Sequence, residues 1–260
     1  MPGRGGFGLQ VFDRLTVAAL AIIAMCAVTF AHEALGHGSA CLALGGHITL
    51  LTSSLFRCDL RSGWIEPAGP AVNLLVGLIA FGVRAMLPDV FPKTRLALIF
   101  VTAFSFFWEG GYLMRAMILR DGDLYFFTQF LFGNVVPWMQ ALGVAIGLGI
   151  YLLGARLTTQ GLLTMFATGE ARAVARTAWI AATLAAFAAA LCYRGAPLWP
   201  DLRDAVLEIG LASIALLFIP RGKTRAPRMP AYVARSCAAI TLGALVFAAL
   251  AATLGRGMIS

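Results

Sequence analysis

Two of the chain's three histidines flank a glutamate in the hexapeptide His32-Glu33-Ala34-Leu35-Gly36-His37. Two imidazoles beside one carboxylate are the donors of a zinc site with its own general base. The familiar zinc-protease helix reads His-Glu-x-x-His, which sets both imidazoles on one face. Here the imidazoles are five residues apart. On a straight α-helix that spacing turns the second ring about 140° away from the first. A π-bulge, which adds one residue to a turn, would bring both rings to one metal, and Gly36 is a soft backbone position for it. The chemistry expected is a metal ion on His32 and His37, with Glu33 as base on its water.

Such a site takes a carboxylate as its third protein ligand. Asp123, in Arg120-Asp121-Gly122-Asp123-Leu124, opens a charge-free run of 32 residues from Leu124 to Ala155. That is longer than one membrane span needs. Gly133-Asn134 and Pro137 interrupt the run, so residues 124–133 read as a separate half-helix or a packed segment at membrane depth, which could bring Asp123 to the metal, while Asp121 and Asp123 could also form a solvated turn beside Arg120. The alternative ligand is Glu109, in Phe107-Trp108-Glu109-Gly110-Gly111-Tyr112, which could instead pair with Arg115. Asn73 is an amide in an apolar helix opened by Gly69-Pro70. It either bonds a neighbouring helix or takes a catalytic part, holding a substrate strand or an oxyanion. His47, beyond a glycine pair, reads as a loop histidine.

The elements that carry these residues follow from composition. The chain has 260 residues, 60% of them hydrophobic and 12% charged, against about 25% charged in a soluble domain. One water-soluble core of this size cannot hide so much apolar surface. A soluble enzyme, a disordered tail and a secreted disulfide scaffold are excluded. The pattern is that of an all-α polytopic membrane protein with about seven transmembrane helices. The first helix runs over residues 14–43, and a short hairpin or surface loop fills 47–66. Further spans fall near 68–87, 96–118, 138–155, 175–193, 204–220 and 232–254. Cys26, Cys41, Cys192 and Cys237 lie in apolar runs and read as small core residues without paired spacing.

The net charge of +8 is spread along loops, which argues for topogenic signals and lipid-facing loops and against nucleic acid. With seven spans, 13 of the 20 Lys and Arg residues fall on the side of the N-terminus. That bias puts the N-terminus in the cytoplasm. The loop with Arg221, Lys223, Arg225, Arg228 and Arg235 is the strongest single contributor.

The histidine-glutamate-histidine helix, the Gly69-Pro70-Ala71-Val72-Asn73 opening of a later span and the Gly122-Asp123 step together resemble the site-2 protease family of intramembrane zinc metalloproteases. The resemblance covers roughly residues 20–130. It implies a metalloprotease-like core over 1–130, with additional transmembrane helices over 131–260. It also implies Zn2+ on His32, His37 and Asp123, hydrolysis of a membrane-embedded protein or peptide substrate, and residence in a bacterial inner membrane. The six-residue histidine motif departs from the family's pattern; a six-residue zinc motif also occurs in the dipeptidyl peptidase III family. Two other classes fit the same residues. One is a non-catalytic zinc-binding membrane scaffold, the other a transporter whose histidines and carboxylates carry protons or metal ions.

Overall fold

The computed structural model describes residues 12–219 and 231–258. The basic loop centred on Lys223 therefore lies outside the described residues, apart from Arg235. Among the described residues, six helices are long and apolar enough to cross a membrane. They are α1 (Arg14–Ala43), α2 (Ala68–Met86), α3 (Pro92–Leu119), α5 (Pro137–Met165), α6 (Thr168–Ala190) and α8 (Cys237–Gly255). A short helix, α4 (Asp123–Phe132), stands alone between α3 and α5, where the sequence placed a half-helix. The expected span at 204–220 is instead a broken helix, α7 (199–217), made of α, π and 3-10 pieces. Asp201, Asp204 and Glu208 are buried along it.

α1 and α3 form the centre and the others wrap them. α3 packs along α2 and α5, while α1 packs along α3, α6 and α8. The face that α6 turns to the interior is a ladder of small residues, Ala171, Ala175, Ala178, Ala182 and Ala189. Small side chains let apolar helices approach closely when no hydrophobic force separates them from lipid. The N-terminus of α1 is capped by Asp13, whose Oδ1 accepts the Thr16 amide at 2.8 Å. Such a cap satisfies a backbone donor with no helical partner.

Residues 44–67 form the expected hairpin, β1 (Ile48–Leu51) antiparallel to β2 (Phe56–Cys58). Backbone bonds between Leu51 and Met258, at 3.0 and 2.9 Å, join it to the end of α8. Thr52 and Ser54 donate to Asp201 Oδ1 at 2.6 and 2.8 Å. These contacts gather 44–67, the start of α7 and the C-terminal residues at one end of the bundle. At the other end, Asp13 bonds to Val233 O and Ala231 to Met165 O, each at 2.8 Å.

The cysteines correct the sequence reading. Cys41, near the end of α1, is disulfide-bonded to Cys58 on β2, with Cα atoms 6.1 Å apart. Cys192 and Cys237 are exposed, and only Cys26 is a free buried thiol. The pairing depends on the hairpin folding back over α1, a contact that spacing along the chain does not reveal.

Candidate metal centre

From Ala31 to Gly38, α1 is a π-helix. Its i→i+5 bonding makes residues five apart neighbours on one face, so His32 and His37 converge with Nε2 atoms 3.2 Å apart. This is the local change that the longer spacing required. Gly36 has a second role. A Cβ there would run into Gly69 and the Ala68 carbonyl, so glycine lets the start of α2 press against the π-turn. Gly69 in turn faces both imidazoles, and a Cβ on it would strike His37 and come within 2.8 Å of His32 Nε2.

The outer ring atoms set the tautomers. His37 Nδ1 donates to the Ile65 carbonyl at 2.9 Å. Because a carbonyl only accepts, Nδ1 carries the proton and Nε2 of the neutral ring presents a lone pair. His32 Nδ1 is 2.8 Å from Glu109 Oε1, and donation to this carboxylate likewise frees its Nε2. Each ring is also clamped by an aromatic plane. Trp108 stacks on His32 at 4.6 Å and Phe56 on His37 at 5.4 Å between centroids. Two lone pairs aimed at each other at this distance repel unless a proton or a cation lies between them.

Asp123 completes the group. It opens α4 just after Gly122, whose φ of 100° turns the chain back toward the bundle. The Asp123 amide donates to the Tyr112 hydroxyl at 3.1 Å. Its Oδ2 lies 3.1 Å from His37 Nε2 and 3.7 Å from His32 Nε2. His32, His37 and Asp123 could together hold a metal ion.

Glu109 does not meet the other donors as an alternative third ligand. Its Oε1 is taken by His32 Nδ1 and by Asn73 Nδ2, the latter at 2.7 Å. It sits mid-helix on α3, one atom behind the imidazole, and orients the ring. Arg115, its other expected partner, bonds to Asp204 at 3.3 Å. Asn73 is fully buried, and its Oδ1 accepts from Ser105 Oγ at 3.0 Å. Of the two alternatives for Asn73, the structure has the bond to a neighbouring helix. Its Oδ1 and one Nδ2 hydrogen are thus engaged behind Glu109. His47 is exposed and bonds to Asp59, as a loop histidine.

A cavity of about 820 Å³ opens over the three donors. Glu33 lines it and is buried, with Oε2 unpartnered among the described residues. A buried carboxylate oxygen without a donor is costly. The residue that carries it stands between His32 and Ala34 on the π-turn, beside the metal donors. Glu66 and Glu208 also line this space. Burial, with Asp123 close by, pushes the Glu66 carboxyl up to about 7. Sequence reasoning missed Glu66, Tyr112 and the Trp108 clamp. The only signal for the last two was aromatic residues one before and three after a glutamate inside an apolar helix.

No protein-family model, no curated protein and no solved structure matches this chain.

Proposed function

We propose that this protein is an intramembrane zinc metalloprotease with a site of site-2 protease type, hydrolysing a peptide bond in or near the bilayer. The observation that carries the reading is the triangle of His32 Nε2, His37 Nε2 and Asp123 Oδ2, with edges of 3.2, 3.1 and 3.7 Å. A tetrahedral zinc with ligand bonds of about 2.0–2.1 Å has ligand–ligand edges of roughly 3.3 Å. The triangle fits that size, and its nitrogen–nitrogen–oxygen set is that of catalytic zinc, with one position left toward the cavity. Glu109 and the Ile65 carbonyl hold the outer ring nitrogens, the support that metal-binding histidines generally have.

Zinc bound there would polarise the scissile carbonyl and make a water more acidic. Glu33, beside His32 and lining the same cavity, would accept the water's proton and return it to the leaving amine. Glu109, Asn73 and Ser105 hold the His32 ring in place and take no proton. The cavity, lined by Arg61, Glu66, Arg115, Gln129 and Arg203 among others, would admit water and a short stretch of polypeptide to the donors.

The membrane arrangement belongs to the same proposal. The six long helices and α7 would make seven crossings, with the N-terminus cytoplasmic. Support comes from the two sets of end contacts described above and from the 13 of 20 basic residues assigned to the N-terminal side.

The test uses the reconstituted protein and an unstructured peptide substrate. The wild type is expected to hold one zinc per chain and to cut. The Glu33→Gln variant is expected to keep zinc and lose cutting by about 100-fold or more, the usual contribution of a general base. Undiminished cutting by this variant would rule the assignment out. Zinc flux across sealed vesicles without cutting would favour the transporter instead.

A further inference from the structure

We infer that the metal cavity opens on the oxidising, non-cytoplasmic face of its membrane, so that its ligands reach it from that face. Its substrates being protein segments there rests on the protease reading above; its sidedness does not. The Cys41–Cys58 disulfide carries the inference. Disulfides persist in oxidising compartments and are rare where thiols are kept reduced. Cys58 itself lines the cavity, so the bond marks the compartment into which the cavity opens.

Forming it takes a proton and an electron from each of two thiols. A disulfide-bonded oxidant of that compartment accepts both pairs and leaves as two thiols. The opposite end of the bundle is on the side to which 13 of the 20 Lys and Arg residues are assigned, against seven on the cavity side. Arg84, Lys93, Arg95, Arg172 and Arg176 cluster at the turns between α2 and α3 and between α5 and α6. Retained Lys and Arg mark the cytoplasmic side. The disulfide and the basic turns are independent observations, and they assign opposite faces to opposite ends.

The same bond braces the site. Cys41 follows the π-helix within one turn. Two residues before Cys58, Phe56 stacks on His37. Gly46 fits tightly beside the bond, where a Cβ would collide with Cys58 Sγ and Leu60. The hairpin that covers His37 is thus tied to the helix that carries it.

Two readouts test this without reference to zinc or turnover. In the first, intact cells are lysed directly into denaturant containing the alkylating reagent, and the unmodified-sequence protein is weighed without reduction. Three modified cysteines are expected, with Cys41 and Cys58 joined. Five modified cysteines would overturn the inference. In the second, reporters are placed in a Cys192→Ser, Cys237→Ser background. An impermeant maleimide is expected to label Arg61→Cys, at the cavity rim, in intact cells, and Lys93→Cys only after permeabilisation. The reverse pattern would overturn it. A protein that labels as expected but never cuts a peptide would refute the protease reading alone.

Discussion

His32 and His37 stand on α1, whose apolar stretch is 67% buried, against α3, which is 78% buried. Asp123 opens α4, ten residues with none buried. The imidazoles are each fixed by a bond at Nδ1 and a stacked ring, whereas Asp123 hangs from one amide bond to Tyr112 and remains 19% exposed. Two ligands are built into a rigid wall and the third is delivered by a lightly packed segment. Metal affinity should therefore be most sensitive to whatever distorts the wall and less so to whatever loosens α4.

The largest effect is expected from Gly69→Ala. The added methyl meets both imidazoles, and rings clamped on two sides cannot give way cheaply. Zinc content of the purified variant should fall to background. Near-stoichiometric zinc would show that the wall is softer than its packing implies.

Next is Glu109→Gln, which keeps the shape but weakens the bond that holds His32. Loss of such an outer partner typically costs about 10–100-fold in metal affinity. A chelator competition would read it. A complete loss of metal would instead make Glu109 a ligand.

Tyr112→Phe removes the single bond that orients the Asp123 amide. One neutral hydrogen bond is worth about 0.5–1.5 kcal/mol, so zinc affinity should drop roughly 2- to 13-fold. An effect as large as that of Gly69→Ala would mean that α4 is as fixed as the wall.

The smallest effect concerns Glu66, whose carboxyl is pushed up to about 7. Because that value is raised, Glu66 is neutral below it and gains its charge as pH climbs through it. The new negative charge attracts a cation, so zinc affinity should rise across this range. Glu66→Gln should remove that part of the rise, roughly two- to fivefold for a partly screened pair. An unchanged pH profile would place Glu66 too far from the ion to matter.

How much of this the sequence reveals follows the same division. The π-turn is legible, because two histidines and a glutamate deep in an apolar run demand a common face. The position of Asp123 is legible from a charge-free run too long for one helix, broken by Gly133 and Pro137. The role of Glu109 is only half legible. A carboxylate inside a helix must have a partner, yet nothing along the chain says that the partner is the far side of an imidazole. The Cys41–Cys58 bond, the Tyr112 tether and the broken course of α7 are invisible. Each depends on contacts between elements distant in sequence. In α7 the run around Leu207 and Ile209 has a span's hydropathy, while Asp201, Asp204 and Glu208 are buried along its broken course.

The most direct test of the proposed three-donor centre is the zinc bound per chain in the purified wild type and in Asp123→Asn, measured side by side by mass spectrometry of the metal. One zinc per wild-type chain and a strongly reduced content in Asp123→Asn are expected. Equal, stoichiometric zinc in both would contradict Asp123 as a ligand and with it the centre described here.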